Sequence, residues 1–125
     1  MRELPKAEYP DIMEDMDGDL LRLLKKGLDS FAKWDVIKFL YYHSDAAHPA
    51  SELARHMNRD QATLETELNE LVAAGFVESR GMNGQPAFAL PADPSARRVI
   101  EKFVDACEDR YFRMKVVYHI LRGMH

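Results

Sequence analysis

Residues 51–90, SELARHMNRDQATLETELNELVAAGFVESRGMNGQPAFAL, decide the fold. Leu53, Ala54 and Met57 share one side of a short amphipathic stretch, and Leu64, Leu68, Leu71 and Val72 share one side of a second. Between them Asn58-Arg59-Asp60 supplies a tight turn. Asparagine tolerates the left-handed conformation, and Asp60 can cap the next helix by accepting a backbone N–H. Ala74-Gly75 stops that helix and Phe76-Val77 opens an extended arm. Asn83-Gly84 then reverses the chain, and Phe88 and Leu90 alternate inward on the return. The expected order is helix, turn, helix, β-hairpin.

Upstream, Asp19 can cap a short helix with Leu20, Leu21, Leu24 and Leu28 on one side, ending near Gly27. Ser30 then precedes FAKWDVIKFLYYHSD, where Trp34, Ile37, Leu40 and Tyr41 recur at helical spacing and Lys33, Asp35 and Lys38 fall elsewhere. His48-Pro49 breaks this helix, because the residue before proline is pushed out of the helical region. Ser51 can cap the one that follows, with Glu52 in its favourable first turn.

Downstream, Asp93-Pro94 reads as an N-cap followed by proline at the first helical position. From there to Leu121 no glycine or proline intervenes, and Ile100, Val104, Cys107, Tyr111, Met114, Tyr118 and Leu121 step by four and three. The spacing predicts one long helix, widened by Val99, Phe103, Val117 and Ile120. Its apolar surface exceeds what one small domain readily covers. It is expected to form a homodimer interface together with Leu24 of the Leu20–Leu28 segment; the alternative is packing on the chain's own first helix. Cys107 on this seam reads as a small buried hydrophobe.

At 125 residues and 46% apolar content the chain reads as one folded domain with a modest core. No run reaches membrane-spanning length and no signal peptide opens the sequence, so the cytoplasm is the expected compartment and no membrane partner is expected. A single cysteine excludes an intrachain disulfide and a thiolate-rich metal site. The net charge of -4 is unevenly spread: residues 1–19 carry -5 and the remainder +1. This marks an acidic leader (1–19), a core unit (20–92) and a C-terminal helix (93–125). The leader reads either as a solvated tail or as a segment that competes with nucleic acid for basic surface.

The 51–90 stretch resembles winged helix-turn-helix transcriptional regulators of the MarR and ArsR kinds. Their pattern of ELA, a hydrophobe, a turn, a recognition helix with a leucine pair, then G-[LF]-[VI] is matched by Glu52-Leu53-Ala54, Met57, Asn58-Arg59-Asp60, Leu68 with Leu71, and Gly75-Phe76-Val77. The resemblance implies a mostly α protein with a small β-hairpin wing and a long C-terminal dimerisation helix. It also implies a dimeric, sequence-specific transcriptional regulator that binds double-stranded DNA. In that reading Gln61, Thr63 and Thr66 face bases, Arg59, Arg80 and Asn83 hold the backbone, and Gln85 lies near the wing tip.

Residues 50–75 nevertheless carry a net -3, and Glu65, Glu67 and Glu70 sit where each would oppose phosphate neutralisation. Two other readings therefore stay open. One is a winged-helix adaptor that binds protein within a transcription or signalling assembly. The other is a ligand-sensing regulator with a small-molecule effector between the C-terminal helix and the winged core.

No catalytic constellation is legible. The five histidines share no evident face or metal-ligand spacing, and neither a phosphate-binding glycine loop nor a nucleophile elbow occurs. No catalytic residue, metal or cofactor is expected.

Overall fold

The structure is a computed structural model and describes residues 16–82 and 84–123. Helix α1 (Gly18–Gly27) opens on Asp17, whose carboxylate accepts from the N–H groups of Asp19 and Leu20 at 3.0 and 3.3 Å. The cap thus lies two residues before the expected Asp19. Most of the acidic leader lies outside the described residues. Its last two acids, Asp17 and Asp19, both meet Lys102 Nζ at 3.2 Å.

Helix α2 (Phe31–Tyr42) begins where the Ser30 hydroxyl accepts from the Lys33 N–H at 3.1 Å. The two-residue strand β1 (His48–Pro49) runs directly into α3 (Ala50–Met57). Pro49 takes the cap position without a side-chain hydrogen bond, so Ser51 lies inside the helix instead of capping it. The fixed φ of proline and its missing N–H suit it to a helix start.

Asn58 adopts the left-handed conformation (φ 54°, ψ 51°) and turns the chain into α4 (Gln61–Ala74). Leu64, Leu68 and Leu71 point into the core, and Gly75 ends the helix at φ 88°, a conformation a side chain would strain. Strands β2 (Glu78–Met82) and β3 (Gln85–Ala89) form the hairpin, with Met82 opposite Gln85. β1 adds to the far side of β3 through His48 opposite Phe88, giving a three-stranded antiparallel sheet in the order β1-β3-β2. Phe76 runs back across α1 at Gly27, where a Cβ would come within 2.8 Å of its ring.

The C-terminal region is two helices, not the single one that the 4-3 spacing predicts: α5 (Pro94–Ala106) and α6 (Arg110–Gly123). The break has a local cause. The Asp109 carboxylate caps α6 by accepting from the Phe112 N–H at 3.0 Å. Arg113 Nη1 donates to the carbonyls of Cys107 and Glu108 at 2.7 and 3.2 Å, which satisfies groups left over at the end of α5. The turn lets Phe112, Val116 and Ile120 return to the core, with Phe112 edge-on to Phe103. His119 fastens α6 to α1 through the Leu24 carbonyl.

That packing corrects three of the eight residues expected at the dimer seam. Leu24 and Ile100 are fully buried and Val104 nearly so, all within the chain's own core, and they have no surface to offer a partner. Among the described residues, no helix is long and apolar enough to cross a membrane.

Candidate nucleic-acid interface

The helix-turn-helix is α3, the Asn58–Asp60 turn and α4. Asp60 caps α4 by accepting from both the backbone N–H and the hydroxyl of Thr63, each at 2.9 Å, and these bonds hold its carboxyl below the usual range. Thr63 was expected to face bases. Its hydroxyl donates to Asp60 in the cap, so donating to a base edge would require it to exchange that bond.

The acids on α4 are not arranged as spacing alone suggested. Glu67 accepts from the Ser30 hydroxyl, and Glu70 accepts from Lys33 Nζ at 2.6 Å. Both are drawn back to the start of α2. Lys33 is the unexpected member, because it is only 3% exposed. Burial alone would lower its pKa, but Asp29 at 2.8 Å and Glu70 outweigh that and raise it, so the ammonium persists. Glu65 stays exposed and accepts from Gln61 Nε2 at 3.1 Å. Opposite the buried leucines, the outer line of α4 is Ala62, Thr66, Asn69 and Ala73, all exposed and uncharged. Asn69 therefore joins Thr66 as an outward polar group.

The seven residues expected at DNA separate into distinct surroundings. Gln61 and Gln85 come together in a cleft of about 280 Å³ between α4 and β3, with Glu65, Asn69 and Phe88 on its walls. Arg59 and Thr63 lie on the other side of the helix start, lining a hollow of about 480 Å³ with Phe31 and Glu67. Thr66 is outermost, its hydroxyl 3.5 Å from the Ala62 carbonyl. Arg80 is on β2, and Asn83 lies outside the described residues.

Both arginines expected to hold the backbone already have carboxylate partners. Arg59 donates to Asp35 at 2.9 Å and Arg80 to Glu78 at 2.7 Å. Glu78 also accepts from the Ala92 N–H at 2.8 Å, and Arg80 first, then that N–H, keep its carboxyl below the usual range. Such exposed pairs are weak and exchange readily for phosphate. Sequence reasoning missed Ser30, Lys33 and Asp35. Helical spacing gives a residue's own face but not which neighbouring helix it meets.

The expected dimer residues are also divided. Cys107 is half-buried; burial pushes its thiol up to about 11, against a smaller opposing effect of Trp34, so it stays a protonated hydrophobe. On α6, Tyr111, Met114 and Leu121 are 64%, 58% and 53% exposed, and half-buried Tyr118 lies on the same face. This is the part of the seam that remains available to a partner.

The histidines are not as scattered as the sequence implied. His43, His48 and His56 gather around Phe39, with ring centroids 4.1, 5.1 and 5.0 Å away. His48 reaches Glu52 at 3.0 Å. Among the described residues, no group of three or more histidine, cysteine or acidic side chains is placed to hold a metal ion.

Two short helices meeting at a left-handed asparagine, followed by a hairpin that a third strand extends, define a winged helix-turn-helix domain. Residues 35–80 match the sequence profile of a helix-turn-helix domain family. Among solved structures the chain is similar to the homodimeric winged helix-turn-helix DNA-binding domain Mb0332 from Mycobacterium bovis, described as a possible ArsR-family transcriptional regulator. Identity is 16% and TM-score 0.58, over 87% of this chain and 90% of that one. It is also similar to an ArsR-like transcriptional regulator from Rhodococcus sp. RHA1, at 21% identity and TM-score 0.50, over 79% of this chain and 92% of that one. At these identities the likeness carries the fold. One of these structures is described as a possible ArsR-family protein and the other as ArsR-like; neither is described as a MarR protein. No curated protein matches the chain in sequence.

Proposed function

We propose that this protein is a homodimeric, DNA-binding transcriptional regulator with α4 as its recognition helix. The observation that carries the reading is the arrangement of charge on α4. Glu67 and Glu70 are drawn back to Ser30 and Lys33, which leaves an uncharged outer line with Thr66 and Asn69 as polar readers. A threonine and an asparagine there can reach base edges, asparagine pairing best with adenine. Gln61 and Gln85, which both line the α4–β3 cleft, can follow the flank of the same groove, and Arg59 and Arg80 can exchange their carboxylates for phosphate.

The second protomer joins through the outer face of α6, with Tyr111, Met114, Tyr118 and Leu121 as the apolar contact, which spaces two recognition helices for successive half-sites. The homodimeric state described for the Mycobacterium bovis domain supports this arrangement. A protein-binding role for the winged helix is the second reading, favoured by the pairing of Arg59 and Arg80 with Asp35 and Glu78.

Electrophoretic mobility shift on the promoter of the protein's own operon, across a salt series, tests the first reading against the second. A regulator gives a discrete complex that weakens steeply with salt. Absence of any specific complex, even at low salt, leaves the adaptor.

A further inference from the structure

The uncharged outer line of α4 has an acid on each border. Glu65 follows Ala62 by three residues and precedes Asn69 by four; Glu70 follows Thr66 by four and precedes Ala73 by three. At those offsets the two carboxylates flank the line on opposite sides, and Glu67 lies further round the helix. By helical geometry alone Glu65 and Glu70 are equivalent. Their partners are not. Glu65 accepts from the neutral amide of Gln61 and keeps its whole charge, whereas Glu70 meets the Lys33 ammonium at 2.6 Å.

The two ends of this ion pair differ in their freedom. The Lys33 side chain is 4% exposed, so its stem is enclosed and cannot swing out with the carboxylate as a surface lysine would. Asp29, four residues back, holds the same Nζ at 2.8 Å. The Glu70 side chain is 55% exposed, and only the lysine draws its carboxylate away from the outer line. The enclosed partner therefore sets where the exposed one stands. Breaking this pair leaves a buried ammonium with a single counter-charge, so it exchanges less readily than the surface pairs of Arg59 and Arg80.

We propose that Lys33 is a positioning residue for DNA binding: without touching the duplex, it holds the Glu70 carboxylate toward α2 and off the phosphates that would flank Thr66. The proposal rests on the DNA-binding reading of α4 and adds to it a determinant outside the groove-facing surface. Released from Lys33, Glu70 stands one turn from Thr66 with its full charge, where it opposes phosphate neutralisation for every sequence alike.

The test is fluorescence anisotropy of the full chain with a labelled random-sequence duplex at about 50 mM salt. Glu70→Asp keeps the net charge but shortens the arm by one methylene, which takes the carboxylate out of reach of Lys33. It should bind at least about fivefold more weakly than the wild type. Glu70→Gln leaves no charge to place and should stay within about twofold of the wild type, whereas in Lys33→Met the same change should raise affinity at least about fivefold. A wild type that binds no duplex overturns the DNA-binding reading and this proposal with it. Wild-type binding that Glu70→Asp leaves unchanged overturns the proposal alone, even if Lys33→Met fails to fold. Equal gains from Glu70→Gln with and without Lys33 also overturn it, because net charge then accounts for the effect.

Discussion

His119 Nε2 lies 2.6 Å from the carbonyl oxygen of Leu24 and joins the last helix to the first. The ring is half-buried, and burial holds its pKa below the ordinary 6.5 despite the favourable pull of the Leu24 carbonyl and Asp29. The unfolded chain therefore binds this proton more tightly than the folded one. Stability from His119 is complete above pH 6.5 and is lost as pH falls below it toward the depressed folded pKa. Thermal unfolding followed from neutral to mildly acid pH should show a larger drop in Tm for the wild type than for His119→Gln. Equal drops would remove His119 from the acid response.

Lys33 is buried, and its ammonium joins Asp29 and Glu70 across two helices. Lys33→Ala removes a packed aliphatic stem along with both ion pairs, and should destabilise the fold by about 2–3 kcal/mol. Its neighbour Lys38 is exposed on the same helix, and Lys38→Ala should change stability by no more than about 0.5 kcal/mol. Urea unfolding of the two variants decides the matter; similar midpoints would show that the buried lysine contributes little.

On α4, spacing alone would assign Glu65 and Glu67 the same effect, and the structure separates them. Glu65 lines the cleft between α4 and β3, whereas Glu67 is turned to Ser30. Glu65→Gln should raise affinity for all DNA sequences alike, and Glu67→Gln should leave it unchanged while loosening the α2–α4 contact. Asn69→Ala and Thr66→Ala should each reduce discrimination at one base pair by about 1–3 kcal/mol. Fluorescence anisotropy with matched and mismatched duplexes reads all four. Equal gains from both glutamate variants would place Glu67 near the phosphates after all.

Met114, more than half exposed on α6, is the best single probe of assembly. Met114→Glu places a charge in the proposed interface and should weaken dimerisation by about 3 kcal/mol or more while leaving the protomer folded. Light scattering together with circular dichroism checks both halves. A wild type that is monomeric at micromolar concentration excludes this interface.

Part of the local punctuation was legible, although the caps expected at Asp19 and Ser51 fall at Asp17 and Pro49. Asn58, Asp60 and Gly75 behave as their backbone chemistry dictates, because each acts on its immediate neighbours. The break after Ala106 was hidden for a physical reason. The 4-3 rhythm runs unbroken through Cys107 and Tyr111, whereas the signal that wins is one aspartate: Asp109, capping through Phe112 three residues on. An apolar rhythm reports which residues avoid water but not whether they do so on one rod or two. The same blindness placed Leu24, Ile100 and Val104 at an interface between chains when they meet within one. The tethers of Glu67 and Glu70 lay beyond sequence reading altogether, since each partner is 37 residues away.

Strand β1 is two residues long, yet it bonds to the wing on one side and becomes helix α3 on the next residue. No linker separates the hairpin from the helix-turn-helix on that flank. The hairpin is therefore tied to the helix-turn-helix by backbone pairing as well as through the chain after α4. In the proposed DNA-binding reading, a duplex that touches both parts would supply much of the bending or groove widening that the fit requires. Sequences that deform easily would then be preferred even at base pairs no side chain touches.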